Sequence, residues 1–258
     1  MRDLRSVPPT RERSPERADV GLPIVSRGVE VPVEPPFGEL SAVSGIPAVG
    51  PGLSDLFIAV EGPIGVGKTT LMRRLAETCG LRAEREIVGE NPFLADFYAD
   101  TPRWAFQTEM FFLTSRYTQL RDLAGNPRGV VADFHLRKNL VFARRTLSPA
   151  EHDRLVRVYD VLVEDLPMPD LTIFLDAELP VLRRRIAERG RDFETQIADD
   201  YLQGLREDYE QLAETMRAAG EAVVRIDVTD TDILGDEADF AAIRSRIEAT
   251  AREARRAR

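Results

Sequence analysis

Residues Gly62, Pro63, Ile64, Gly65, Val66, Gly67, Lys68 and Thr69 satisfy G-x-x-x-x-G-K-[ST] at every fixed position, and an apolar run at 56–60 precedes them directly. The pattern predicts a strand, a glycine-rich turn and a helix in succession. Backbone N–H groups must turn inward on an anionic phosphate, and the following helix adds its positive N-terminal dipole. Lys68 brings a point charge to that phosphate and the Thr69 hydroxyl a ligand for Mg²⁺. Leu71, Met72 and Leu75 recur at helical spacing over 68–78, and Gly80 stands where such a helix should stop. A chance glycine-rich turn would not bring both neighbours with it. Lysine usage agrees, because Lys68 and Lys138 are the only lysines while arginine is used freely.

From residue 56 onward, short apolar runs alternate with helical patterns. Strands are expected at 56–60, 83–87, 130–133, 171–175 and 222–226, and helices at 68–78, 104–123, 149–166, 179–188 and 199–219. This alternation predicts an α/β fold, a five-stranded parallel sheet flanked by helices on both faces, with ligands beyond the carboxyl ends of the strands. The glycine-rich loop, Glu86, Asp133 and Asp176 all fall at those ends. Residues 1–54 hold nine of the chain's 17 prolines, too many for a regular element to persist. A disordered extension is expected there, followed by one globular domain over 55–258.

Composition sets the remaining bounds. A chain of 258 residues, 43% hydrophobic and 31% charged, can bury one good core but not two large ones. Its net charge of −9 argues against binding nucleic acid or an anionic membrane, since both need a basic field. Any anionic ligand must be held by local groups. Cys79 is the only cysteine, which excludes an intramolecular disulfide and suits a reducing compartment. No apolar stretch is long enough for a bilayer span, and the N-terminus lacks the apolar core of a secretory signal. A cytoplasmic protein is expected.

Five segments together carry a more specific message: EGPIGVGKTT at 61–70, EIVGENPFL at 86–94, FYADTPRWAF at 97–106, PDLTIFLD at 169–176 and RIAERGR at 185–191. In content and order they resemble the deoxynucleoside kinase family, specifically its bacterial deoxyguanosine and deoxyadenosine kinase branch, over most of 56–230. The resemblance implies a P-loop kinase fold with a helical lid. It also implies transfer of the γ-phosphoryl of ATP, or another nucleoside triphosphate, to the 5′-hydroxyl of a deoxynucleoside in nucleotide salvage, with Mg²⁺ as cofactor. The implied partners are these small molecules and a second copy of the chain, the homodimer forming through the helices at 104–123 and 149–166.

The resemblance also distributes roles. The nucleotide-binding set extends over 62–70, Thr70 included. Glu86 is the carboxylate that accepts the hydroxyl proton, ahead of its neighbours Glu84 and Glu90. Asp133 is expected to help hold Mg²⁺ with Thr69. The arginine that the family carries next is Phe134 here, followed by His135, which leaves Arg137 or Lys138 to supply the charge. Arg185, Arg189 and Arg191 match the lid, whose guanidiniums close over the triphosphate, while Arg183 and Arg184 are left to solvent. Tyr98 and Glu194 match the pair that binds the sugar 3′-hydroxyl and would favour deoxyribose.

For the base, counting back from Arg116 puts the reading position on Glu109, with Gln107 on a different helix face, and the second position falls on Asn139. A carboxylate and an amide suit guanine, which offers N1–H and N2–H donors and an O6 acceptor. They suit adenine less well, because its N1 accepts and its N6 donates. Deoxyguanosine is therefore the expected acceptor. Deoxyadenosine or a broader acceptor range, and a catalytically silent relative serving as a binding or assembly subunit, are the alternatives. Residues 227–230 are expected around the base of the phosphate donor.

Overall fold

The computed structural model describes residues 52–191, 194 and 197–257. The proline-rich extension expected over 1–54 lies outside the described residues, apart from 52–54. Five parallel strands, β1 (Phe57–Glu61), β2 (Arg82–Glu84), β3 (Val130–Ala132), β4 (Leu171–Asp176) and β5 (Val223–Asp227), form one sheet in the order β2-β3-β1-β4-β5. Among the described residues eight helices surround it: α1 (Lys68–Cys79), α2 (Leu94–Ala99), α3 (Thr101–Leu123), α4 (Lys138–Thr146), α5 (Pro149–Val163), α6 (Leu179–Arg189), α7 (Asp199–Ala218) and α8 (Glu237–Ala257). This is the α/β P-loop architecture expected, with α6 as the helical lid.

β1 occupies the middle because all five of its residues can be buried, as a strand covered on both faces requires. Phe57 pairs with Val130 of β3, and Ile58 with Leu171 of β4. Strand side chains alternate between faces, and that alternation sorts the core. Ile58 and Val60 pack with Leu71 and Leu75 of α1 and with Ile243 and Ile247 of α8. Phe57, Val130 and Ala132 point to the opposite face, against Leu113 and Leu120 of α3 and Leu155 of α5. Phe174 of β4 meets Val141 of α4 and Leu205 and Tyr209 of α7. From β1 the chain runs through α1 to β2 at one edge, returns to β3, and crosses through α4 and α5 to β4 on the other side of β1. The winding reverses there, so a crevice opens beyond the carboxyl end of β1.

Two departures from the sequence expectation bear on the site. β2 stops at Glu84, short of the expected end at 87, because beyond it the chain finds side-chain partners instead of a neighbouring strand. Gln119 Nε2 donates to Glu84 Oε1 at 2.6 Å and to the Arg85 carbonyl at 2.8 Å, and the Glu86 N–H donates to Asp133 Oδ1 at 2.7 Å. The second departure is three helices, α2, α4 and α8, outside the expected set. α4 begins with buried Lys138 and Asn139, so its inward face is polar where apolar periodicity would mark a core helix. α8 does carry that periodicity, in buried Phe240, Ile243, Ile247 and Ala251. No helix among the described residues is long and apolar enough to cross a membrane.

Candidate active site

The glycine-rich loop is held between β1 and the lid helix so closely that side chains are excluded. Gly62 has φ 141, and a Cβ there would lie 2.3 Å from the Leu175 carbonyl oxygen. Gly65 has φ 83, and a Cβ would meet Ile186 at 2.7 Å and the Leu182 carbonyl oxygen at 2.9 Å. Both positions therefore require glycine. Lys68 is curled back onto the loop, its Nζ donating to the Gly62 carbonyl at 2.7 Å and the Pro63 carbonyl at 3.0 Å. Burial, reinforced by the neighbouring charge of Lys138, lowers its pKa to about 8. Glu61, fully buried at the end of β1, accepts from the N–H of Gly62 at 3.2 Å and of His135 at 2.7 Å. Its carboxyl is raised by burial, and it ties the start of the loop to the segment after β3.

A continuous chain of polar contacts leads away from the loop. The Thr69 hydroxyl donates to Asp133 Oδ2, and Asp133 Oδ1 receives the Glu86 N–H. Thr69 and Asp133 thus bring two hard oxygen donors together, a pair that fits Mg²⁺, which takes few protein ligands and fills its remaining positions with phosphate oxygens and water. The Glu86 carboxylate is gripped by two cations. Arg116 donates to Oε1 through Nε at 2.9 Å and through Nη2, and Lys138 Nζ donates to Oε2 at 2.6 Å. Burial alone would raise this carboxyl, but Lys138 and Arg116 outweigh it and hold the pKa at about 2. Arg116 Nη1 then donates to Asn139 Oδ1, which turns the Asn139 amide so that Nδ2 reaches the Glu109 carbonyl at 3.1 Å and Glu109 Oε2 at 3.5 Å. Glu109 is 2% exposed. Burial drives its carboxyl up to about 7 against the pull of Arg116 and Lys138.

Lys68, Thr69, Asp133, Glu86, Arg116, Lys138 and Glu109 line one cleft. Ile64, Lys68, Thr69, Glu86, Tyr98, Glu109, Arg116, Asp133, Arg189, Arg191 and Glu194 all form its wall, with Leu94, Phe97, Phe112 and Phe142 as apolar surface. At the lid, Arg189 donates to Glu194 Oε2 through Nε at 3.0 Å and through Nη2, and Arg191 Nη1 lies 3.3 Å from Oε1. The half-buried Tyr98 phenol is raised by desolvation and by the Glu194 charge.

The deoxynucleoside kinase family model matches residues 58–251, which span the strands, the glycine-rich loop and the lid. The chain belongs to the deoxynucleoside kinase family. The kinase is 42% identical to the deoxyguanosine kinase of Bacillus subtilis over 200 residues, 74% of this chain and 96% of that protein. It is 30% identical to the deoxyadenosine/deoxycytidine kinase of the same organism, over 70% of this chain and 86% of the relative. A solved structure of deoxyadenosine kinase from M. mycoides shares the fold, with a TM-score of 0.66 at 23% identity, covering 74% of this chain and 98% of that one. The kinase transfers a phosphoryl group from a nucleotide donor to a deoxynucleoside.

Most residues named from sequence line the kinase's cleft. Gly62, Pro63, Gly65, Val66, Gly67 and Thr70 of the loop and the first turn of α1 are not in its wall, nor are Arg185 and Asn139. The Arg185 guanidinium donates to the carbonyls of Val66 at 3.1 Å, Val228 at 3.0 Å and Thr231 at 3.0 Å, which commits both terminal nitrogens to backbone acceptors. Asn139 is fully buried behind the wall, with its amide committed to Arg116 and Glu109. Gln107, the neighbour of Glu109 in sequence, is exposed. In place of the arginine expected after Asp133, Phe134 is fully buried in the core, and Lys138 reaches Glu86 from the first turn of α4. Its signal was present in the sequence, since Lys138 is one of only two lysines. Phe112 and Phe142 had no comparable signal, as aromatics at helical spacing are usually core residues.

Proposed function

We propose that the kinase transfers the γ-phosphoryl of ATP, with Mg²⁺, to the 5′-hydroxyl of deoxyguanosine, yielding the 5′-monophosphate in a cytoplasmic salvage reaction. The buried Glu109 carboxylate in the wall of the cleft carries this reading, because two convergent acceptors complement guanine N1–H and N2–H. Apolar surface from Phe112 and Phe142 suits the faces of a planar base.

The N–H groups of residues 62–70 receive the donor phosphates, and Lys68 leaves its loop carbonyls to meet them. Thr69 and Asp133 are the residues that would hold Mg²⁺, which supplies neutralisation of charge on the phosphate oxygens. Glu86 accepts a hydrogen bond from the 5′-hydroxyl and aligns it for in-line attack. With a pKa of about 2 it is a weak base, which suits a loose transition state in which the proton leaves late. Arg116 and Lys138 fix its orientation. Tyr98 and Glu194 meet the 3′-hydroxyl. Because Glu194 also accepts from Arg189 and Arg191, sugar binding and closure of the lid draw on one carboxylate. Arg189 and Arg191 then face the transferring phosphoryl, whereas Arg185 braces the loop that receives the donor base.

A homodimer through α3 and α5 is supported by Val158 and Val161 on α5, which are 36% and 71% exposed. Apolar surface of this kind suits a partner helix. Phosphoryl transfer from ATP, with and without Mg²⁺, to the four deoxynucleosides and their ribonucleoside counterparts tests the acceptor. Deoxyguanosine should lead and its ribonucleoside should trail. A pyrimidine as the preferred acceptor would overturn the role given to Glu109.

A further inference from the structure

The geometry around Glu109 leads beyond a fixed preference. Asn139 Oδ1 is taken by Arg116, so only the Asn139 amide N–H₂ faces Glu109, and its reach to Oε2 is 3.5 Å. That is the outer limit of a hydrogen bond. It leaves both carboxyl oxygens with lone pairs open to the cleft. An N–H donor on Oε2 is also compatible with either ionisation state, since the carbonyl oxygen of a neutral carboxyl still accepts. Nothing in this arrangement fixes the proton count on Glu109.

We propose, resting on the reading of Glu109 as the base-contacting group, that this residue selects the purine by its own protonation state. The ionised carboxylate accepts from guanine N1–H and N2–H. The neutral carboxyl, having taken one proton from solvent, donates through O–H to adenine N1 and accepts from adenine N6–H through its carbonyl oxygen. Ionised Glu109 would set a lone pair against the adenine N1 lone pair, so that only N6–H could pair with it, which is strongly disfavoured. Deoxyadenosine is therefore an acceptor for the protonated enzyme alone.

The charged and titratable groups facing Glu109 come from every element around it. They are Arg116 on its own helix, Lys138 with the neutral Asn139 on α4, Glu86 after β2, Tyr98 on α2 and Tyr201 on α7, with the lid residues Arg189, Arg191 and Glu194 across the cleft. Arg116 and Glu86 bond to one another, as do Lys138 and Glu86. Two cations against one carboxylate leave a net positive charge that pulls Glu109 down, but burial outweighs it. The carboxyl titrates at about 7, where both forms are populated.

The test is the ratio of kcat/KM for deoxyadenosine to that for deoxyguanosine, measured from about pH 6 to about pH 8. Taking a ratio cancels every titration common to both reactions, including those of Lys68 and the donor. The ratio should rise as pH falls, by up to about tenfold per unit, because the neutral and ionised forms of one group trade places at that rate. Glu109→Gln, whose amide resembles the neutral carboxyl, should accept deoxyadenosine with a ratio independent of pH. Calorimetry on the parent enzyme at about pH 8 gives a check that needs no variant. Deoxyadenosine should bind with uptake of a proton, and deoxyguanosine without it. A parent enzyme that prefers deoxyguanosine with a flat ratio overturns the switch and leaves the acceptor assignment intact. Failure to phosphorylate deoxyguanosine at any pH overturns both.

Discussion

Glu86 shows how one residue's surroundings set its chemistry. A buried carboxylate with a guanidinium on one oxygen and an ammonium on the other stays ionised and aimed. In the proposed reaction Lys138 therefore acts through Glu86. Lys138→Met should lower kcat about 100-fold or more while leaving the donor KM within about threefold, with partial recovery in Lys138→Arg, since loss of one preorganised electrostatic partner has effects of that size. Steady-state kinetics of the two variants check this. Glu109 makes a different prediction, about stability. Its carboxyl titrates near 4.5 in the unfolded chain and at about 7 when buried, so the folded protein binds more protons between those values. The associated stability is fully present below about pH 4.5 and is lost as pH rises through about 7, a change on the order of 3 kcal/mol. Urea unfolding of the ligand-free protein at about pH 5 and about pH 8 should show Glu109→Gln losing less stability than the parent by that amount.

At the scale of elements, the lid helix and the glycine-rich loop are joined twice, by the contact of Gly65 with Ile186 and by Arg185. Arg185 also holds the carbonyls of Val228 and Thr231, so one guanidinium connects the loop after β1 with the loop after β5. Arg185→Ala should raise the KM for ATP about tenfold and leave kcat within about threefold. A loss of kcat near 1,000-fold would instead mean that this arginine reaches the transferring phosphoryl, as lid and finger arginines do. This distinction was not legible in the sequence, where Arg185, Arg189 and Arg191 form one closely spaced set. Carbonyl partners 43 and 119 residues away separate the first from the others. The loop itself was legible because its glycines, lysine and threonine act through local backbone geometry. β1, β3 and β4 were legible because strands buried on both faces read as unbroken apolar runs. α4 was not, because Lys138 and Asn139 satisfy partners on α3 and after β2 instead of following an apolar period. Glu109 could be preferred to Gln107 only by counting back from Arg116 along the family resemblance, and its contact with Asn139 required the packing of α3 against α4.

The whole molecule is acidic, with a net charge of −9, yet its substrate is a nucleotide phosphate donor. The cations that matter, Lys68, Arg116, Lys138, Arg189 and Arg191, are gathered on one cleft at the point where the sheet's winding reverses. Local concentration of charge in a low-dielectric crevice serves this purpose better than a basic surface would, and it discourages association with nucleic acid. In the proposed reaction the same crevice brings the acceptor's two ends to different chemistry, the 5′ end beside Thr69 and Asp133 and the base beside Glu109, at the end of the polar chain that passes through Glu86, Arg116 and Asn139. The most direct measurement of this account is a competition at about pH 8, with equal deoxyguanosine and deoxyadenosine, ATP and Mg²⁺, in which the two monophosphates are quantified over time. The product ratio reports the ratio of kcat/KM, and the account predicts an excess of the deoxyguanosine product of at least about tenfold. Equal products, or an excess of the deoxyadenosine product, would contradict it.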